Sequence, residues 1–149
     1  MPLADTPGPD WLSVLVVDDD PLHLDLASLA LETIGGCRVQ TAREARPVVE
    51  DILAGRSEFD LVLMDIVMPD MDGVTACAAL RRAGKPQYIV AMTALDRHDD
   101  IDRAYAAGAD DYIIKPFKPV DLVTRLEVVR RRRTSRWVGG QRPSRRTCR

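Results

Sequence analysis

The sequence predicts a doubly wound α/β domain, in which five parallel strands form one sheet with helices on both faces. Short apolar runs rich in β-branched residues alternate five times with stretches of helical periodicity. Such an alternation favours parallel strands joined by right-handed crossovers. The length of 149 residues suits one domain of this kind.

Four of the five predicted strands are strongly apolar. They are SVLVV at 13–17, FDLVLM at 59–64, QYIVAM at 87–92 and DYII at 111–114. The remaining strand, CRVQT at 37–41, contains only one strongly β-forming apolar residue. We therefore expect this second strand to lie at or near the edge of the sheet.

The segments between the strands carry apolar residues at helical spacing, and these residues are expected to face the sheet. The three sets are Leu22, Leu26, Leu29 and Ala30; Val48, Val49, Ile52 and Leu53; and Val74, Cys77, Ala78 and Leu80. Residues 97–107 and 118–132 predict the last two helices. A glycine follows each of four helical patterns, where a left-handed cap is expected: Gly35, Gly55, Gly84 and Gly108.

Charge divides the chain into an acidic body and a basic end. Nine arginines and no acidic residue lie from Arg130 to Arg149, although the whole chain has a net charge of −2. Gly-Gly and Pro interrupt this end, which predicts disorder. The predicted organisation is an N-terminal extension at 1–11, a domain at 12–133 and a basic tail at 134–149. The tail includes one aromatic residue, Trp137, and no folded DNA-reading motif, so we do not expect it to bind nucleic acid.

Composition excludes several classes of protein. No apolar run approaches the roughly 20 residues needed to span a membrane, and the first residues lack the pattern of a signal peptide. A cytoplasmic protein is expected. The three cysteines are far apart and have no histidine at ligand spacing, which argues against a disulfide framework or a zinc site.

Polar residues capable of joint chemistry follow four of the predicted strands. Asp18, Asp19 and Asp20 follow the first strand, Asp65 the third, Thr93 the fourth and Lys115 the fifth. Ligands of doubly wound sheets bind beyond the carboxyl ends of the strands. Clustered carboxylates there favour Mg²⁺, and an aspartate facing Mg²⁺ and a lysine can act as a nucleophile toward phosphorus.

Four motifs give a more specific indication. VLVVDDDP, LVLMDIVMPDMDG, VAMTA and DYIIKPF together resemble the receiver domain of bacterial two-component response regulators, over roughly residues 12–132. The resemblance is to single-domain, chemotaxis-regulator-like members, and it implies the flavodoxin-like (βα)5 fold. It also implies a phosphoryl group accepted from a histidine kinase or a histidine phosphotransfer protein, with no separate substrate turnover.

The resemblance assigns roles to individual residues. Asp65 becomes the phosphoryl acceptor, Lys115 the phosphate-binding ammonium, Thr93 the switch hydroxyl and Tyr112 the aromatic switch. Asp19 is implied as a direct Mg²⁺ ligand and Asp18 as a ligand acting mainly through water, with the Val67 carbonyl as a further ligand. It also implies a cis peptide bond between Lys115 and Pro116.

The same resemblance implies where partners bind. The helix-strand-helix unit at residues 97–130 is expected to contact a downstream protein, and dimerisation on phosphorylation stays open. Val67 and Leu95 are apolar where polar residues could position a hydrolytic water, which predicts slow loss of the phosphoryl group.

Plainer interpretations stay open for several residues. Asp20 is expected to cap the first helix, Asp70 and Asp72 to shape a loop, and His23 and His98 to be exposed helix residues without a ligand set.

Two alternative functions remain at this point. One is a fragment or relic of a DNA-binding regulator. The other is an aspartate-nucleophile, Mg²⁺-dependent phosphatase, whose Asp-x-Asp-x-Thr/Val motif is only partly imitated by Asp18, Asp20 and Leu22.

Overall fold

The computed structural model describes residues 11–94 and 97–135. Within them lie five strands, β1 (Ser13–Val17), β2 (Arg38–Ala42), β3 (Leu61–Asp65), β4 (Tyr88–Ala94) and β5 (Asp111–Lys115). The helices are α1 (Pro21–Thr33), α2 (Ala45–Leu53), α3 (Gly73–Arg82), α4 (His98–Ala107) and α5 (Pro119–Ser135). The order of elements alternates strictly between strand and helix, as predicted.

All strands are parallel and form one sheet in the order β2-β1-β3-β4-β5. The predicted fold class is confirmed. The second strand lies at the edge, as its sequence indicated, and it contains no buried residue. The strand order reverses direction between β1 and β3, so the ends of these two strands flank the crevice in which this class of fold places its ligands.

Each face of the sheet supports its own apolar core. Val14 and Val16 of β1 pack on the side of α1 and α5, whereas Leu15 and Val17 pack on the side of α2 and α3. Every residue of β3 is buried, since helices cover both faces there. Burial of one such side chain contributes about 1.5–3 kcal/mol, so this double core holds the strand ends in place.

The predicted packing face of α1 is wrong for its three leucines, and only Ala30 of the predicted set is buried. Leu22, Leu26 and Leu29 are 61%, 50% and 64% exposed, and the helix instead buries Leu24, Ala27, Ala30 and Leu31. Both sets have helical spacing, and the small side chain of Ala27 lets the helix approach the sheet closely. Helical spacing alone therefore could not distinguish the two faces.

Two smaller expectations also need correction. Leu53 of α2 is 42% exposed, while Val48, Val49 and Ile52 are buried as predicted. The left-handed residue after α1 is Gly36, with φ of 63°, and not Gly35. The helix ends at Thr33 with Ile34 as a right-handed cap, so the left-handed position comes later than the sequence pattern suggested.

The last helix is longer than predicted, because α5 continues to Ser135 instead of ending at residue 132. Its arginines contact the fold: Arg130 Nη2 donates to the Gly35 carbonyl at 2.5 Å, and Arg133 Nη1 to the Trp11 carbonyl at 3.2 Å. Most of the predicted extension and tail, residues 1–10 and 136–149, lies outside the described residues. In the described part, no helix has the length and apolar character to cross a membrane.

Candidate functional site

The carboxyl ends of β1, β3 and β5 bring three charged side chains together. Asp18 follows β1 directly, Asp65 is the last residue of β3 and Lys115 is the last residue of β5. Lys115 Nζ lies 2.6 Å from Asp18 Oδ2 and 3.1 Å from Asp65 Oδ2. One ammonium therefore bridges two carboxylates that are 97 and 50 residues away in the chain.

Asp18 is fully buried and held as a carboxylate. Burial alone would raise its pKa, but the hydrogen bond from Lys115 and another from the Asp20 amide at 2.9 Å outweigh that effect, and its pKa is lowered. The backbone amide of Asp18 continues the strand pairing by donating to the Ala42 carbonyl. This residue is thus fixed on both its main chain and its side chain.

The pKa of Asp65 is shifted in the opposite direction from that of Asp18. Burial raises its pKa to about 6, and the charge of Asp18 adds to this rise, while Lys115 and the Val67 amide act against it. The Val67 amide donates to Asp65 Oδ1 at 3.2 Å. At Asp65, burial and the charge of Asp18 therefore outweigh the stabilisation of the carboxylate by Lys115.

These carboxylates form a cluster that suits a divalent cation. One oxygen from each of Asp18, Asp19 and Asp65 lies within 4.8 Å of the others, and Asp19 is exposed to solvent. Magnesium prefers oxygen ligands and binds through one or two carboxylates plus waters. The excess of negative charge and the chemistry of the donor set fit this ion. The Val67 amide donates to Asp65, so Val67 lies next to the cluster, and its side chain is 49% exposed.

The loop after β3 is shaped by groups other than the cluster. Asp70 has φ of 65° and pairs with Arg46, whose Nε lies 2.8 Å from Asp70 Oδ2. Asp72 caps α3 by accepting from the Thr75 amide at 2.7 Å. The structural roles expected for Asp70 and Asp72 are confirmed. Asp20 likewise caps α1, accepting from the Leu22 amide at 2.9 Å.

Gly73, the first residue of α3, packs directly behind Asp65. A Cβ atom at this position would lie 2.9 Å from the carbonyl carbon of Asp65 and closer still to its oxygen. Only glycine permits this approach of α3 to the end of β3.

The two residues assigned to a switch lie on neighbouring strands. Thr93 is 1% exposed, and its hydroxyl donates to the Ala94 carbonyl at 3.4 Å. Tyr112 is half-buried, and its ring meets that of Tyr105 edge-on at a centroid distance of 6.0 Å. The structure places Thr93 at the end of β4, between the strands that hold Asp65 and Lys115. The Lys115–Pro116 bond is cis.

One residue at the site, His23, is not indicated by the sequence motifs. His23 was expected to be an exposed helix residue, but its Nδ1 lies 3.2 Å from Asp18 Oδ2 and 3.2 Å from Lys115 Nζ. Side chains in a helix point toward its N-terminus. His23 belongs to the first turn of α1, so this rule could have placed it over the end of β1.

Residues 14–127 match the family model described as the response regulator receiver domain. The chain belongs to this family. The receiver domain is 36% identical over 121 residues to the DNA-binding dual master transcriptional regulator RpaA of Synechocystis, with 80% of this chain and 49% of RpaA covered. It is 38% identical over 129 residues to the DNA-binding response regulator MtrA of Mycolicibacterium smegmatis, covering 80% and 50%.

A solved structure supports the same assignment of fold. The CheY-like receiver domain protein from Methanospirillum hungatei superimposes with a TM-score of 0.75 at 28% identity, covering 85% of this chain and 98% of that one. The chain spans about half the length of RpaA and MtrA. The predicted family and fold are therefore confirmed for the receiver domain.

Proposed function

We propose that this receiver domain accepts a phosphoryl group on Asp65 from a histidine kinase or a histidine phosphotransfer protein. The observation that supports this most directly is the position of Lys115 Nζ, 3.1 Å from Asp65 Oδ2. An ammonium at that distance can neutralise charge that develops on a phosphoryl group during transfer. The family match supplies the class of partner.

In the proposed reaction, an Asp65 carboxylate oxygen attacks the phosphorus of a phosphohistidine. The new O–P bond forms as the N–P bond breaks, and the released imidazole takes a proton from solvent. Since the carboxylate is the nucleophile, the protonated form is unreactive. The rise of the Asp65 pKa to about 6 therefore matters, because a nearby cation would keep the residue ionised at lower pH.

The proposed cofactor is Mg²⁺, with Asp19 and Asp65 as direct ligands, Asp18 acting mainly through water and the Val67 carbonyl as a further ligand. When bound, the ion would supply positive charge to the phosphoryl oxygens. One oxygen from each of the three carboxylates lies within 4.8 Å of the others, and this supports the assignment. Lys115 Nζ lies between Asp18 and Asp65, so it would stand beside a phosphoryl group added to Asp65.

Phosphorylation is proposed to act through Thr93 and Tyr112. The Thr93 hydroxyl would move to donate to a phosphoryl oxygen, and Tyr112 would occupy the space that Thr93 vacates. The weak 3.4 Å contact of Thr93 with Ala94 supports such a movement. Residues 97–130 would then present a changed surface to a downstream protein or to a second copy of the domain.

The proposed reaction consumes no separate substrate, because the phosphoryl group ends on the protein and leaves by hydrolysis. We therefore propose a signalling domain and not an enzyme, with a functional unit at residues 12–133. The proposed location is the cytoplasm, which is consistent with a receiver domain. Membership of the receiver family argues against the phosphatase alternative.

A second candidate is the receiver part of a DNA-binding regulator. The names of RpaA and MtrA, and the chain's match to about half their length, favour it. Gel-shift titration of the present chain with mixed-sequence duplex DNA, at low and moderate salt, tests whether it binds DNA by itself. We expect no shift, and binding that weakens steeply with salt would indicate that the basic end contacts DNA.

The proposed function is tested by intact-mass spectrometry after incubation with acetyl phosphate and Mg²⁺. We expect one added phosphoryl group in the native protein, none after removal of Mg²⁺ with EDTA, and none in Asp65→Asn. Addition to Asp65→Asn would contradict the assignment of the acceptor. No addition to folded native protein would contradict the function itself.

A further inference from the structure

Among the described residues, Asp18, Asp65 and His23 contact the Lys115 ammonium. His23 is the one of these three that the proposed reaction does not use. Its Nδ1 lies 3.2 Å from Lys115 Nζ, while Asp18 and Asp65 provide oxygens at 2.6 and 3.1 Å. We propose that His23 is a positioning residue, which holds the Lys115 ammonium in place for phosphoryl transfer to Asp65. This inference rests on the proposed function of Asp65.

The number of hydrogen-bonding groups supports this role. A lysine ammonium has three N–H donors, and three groups lie within reach of it here: one oxygen each from Asp18 and Asp65, and Nδ1 of His23, which accepts when it carries no proton. Lys115 can therefore be fully satisfied although its side chain is only 15% exposed. Without His23, one N–H of a mostly buried ammonium would lack its protein partner.

The proposed role defines the position of the imidazole proton. Nδ1 accepts from Lys115 only when it is unprotonated, so the proposal places the proton on Nε2. Nε2 faces Asp20 Oδ2 at 3.6 Å, a carboxylate that favours a proton on that side of the ring. Nδ1 and Asp18 Oδ2 are both acceptors 3.2 Å apart, and the ammonium next to both offsets their repulsion.

The imidazole ring is also fixed from its other side. Phe117 follows the Lys115–Pro116 bond, and its ring meets His23 at a centroid distance of 6.5 Å and an interplanar angle of 64°. Edge-to-face aromatic pairs prefer this range of distances. The loop after β5 and the first turn of α1 thus contact each other through His23, so the histidine can orient Lys115 and not merely accept from it.

Substitutions at His23 test whether the acceptor must lie at the position of Nδ1, or whether any polar side chain is sufficient. Asparagine places its side-chain oxygen where Nδ1 lies, glutamine reaches the position of Nε2, and leucine removes both groups. With acetyl phosphate and saturating Mg²⁺, we expect His23→Leu and His23→Gln to slow phosphorylation about tenfold, the size of one lost hydrogen bond to a charged group. His23→Asn should stay within about twofold of the native rate. Equal rates in all four proteins, or slowing by asparagine as large as by leucine, would overturn the proposal.

A double-mutant cycle with Lys115→Met tests whether His23 acts through the lysine. If it does, adding His23→Leu to Lys115→Met should cause no further slowing. A further slowing of about tenfold in that background would overturn the proposal, since it would show a role independent of Lys115. Urea unfolding of each variant identifies any that fails to fold, and His23→Asn then serves as the folded comparison.

A measurement without phosphorylation distinguishes failure of this inference from failure of the proposed function. In ¹⁵N-lysine NMR spectra, the Lys115 ammonium protons should exchange with water faster in His23→Leu than in the native protein or His23→Asn. Unchanged exchange in His23→Leu would overturn the role of His23, whatever the acceptor proves to be. Faster exchange in a protein that accepts no phosphoryl group would retain the contact and reject the proposed function.

Discussion

Replacing Asp65 by asparagine should stabilise the metal-free protein at neutral and alkaline pH. The pKa of Asp65 is raised to about 6, mainly by burial, whereas an unfolded aspartate titrates near 3.9. A raised pKa means that the folded state binds the proton more tightly, so this group removes stability as the pH rises from about 4 through 6. At pH values above that range, the ionised Asp65 lowers the unfolding free energy by its full amount.

The size of the effect follows from the shift. About two pKa units correspond to about 3 kcal/mol of unfolding free energy at pH 8, and to about half of that at pH 5. Asparagine keeps the shape of Asp65 and removes its charge. Asp65→Asn should therefore be more stable than the native protein by an amount approaching that value at pH 8, and by clearly less at pH 5.

Urea denaturation in EDTA at the two pH values measures this difference, with Asp102→Asn on the exposed side of α4 as the matched control. The control should change stability little at either pH. Mg²⁺ should reduce the advantage of Asp65→Asn, because it binds the native carboxylates and stabilises their folded state. A variant less stable than the native protein at pH 8 in EDTA would refute the reasoning.

Three further predictions concern the surroundings of the site. Gly73→Ala should lower the unfolding free energy by about 1–3 kcal/mol, because its methyl group would press on backbone atoms at the end of β3; unchanged urea midpoints would contradict this. Val67→Ser should shorten the lifetime of the phosphorylated protein, measured by loss of added mass, because it places a hydroxyl where a hydrolytic water could bind; an unchanged lifetime would reject that explanation. Arg81→Ala should cost about 2 kcal/mol, since Arg81 donates to three carbonyls and to Asp110 at 2.6 Å. Arg82→Ala, on the exposed side of α3, is its control, and equal losses in the two variants would contradict a special role for Arg81.

Much of the fold could be predicted because two signals in the sequence agree: the apolar runs that form strands, and the polar residues at which these runs end. β1 and β3 are continuous apolar runs, and a charged or polar residue marks where each ends. Parallel strands end at the same edge of the sheet, so the order of the motifs was enough to bring Asp18, Asp65 and Lys115 together. The poor β propensity of 37–41 likewise identified the edge strand.

The errors arose where local patterns allow two solutions. In α1, Leu22, Leu26 and Leu29 have the same helical spacing as the residues that are actually buried, and only the contact with the sheet selects between them. His23 was assigned to the surface for the same reason. Its role depends on how the first turn of α1 is placed over β1 and β5, which is a tertiary property absent from any single segment. Leu95, to which slow hydrolysis was also attributed, lies outside the described residues.

The central claim is that Asp65 accepts the phosphoryl group, and the most direct test locates the modified residue. After incubation with acetyl phosphate and Mg²⁺, borohydride reduces an acyl phosphate to an alcohol and releases phosphate, converting the modified aspartate to homoserine. Peptide mass spectrometry then identifies that residue. We expect homoserine at position 65, only in samples that contained both the donor and Mg²⁺. Homoserine at another aspartate, with position 65 unchanged, would contradict it.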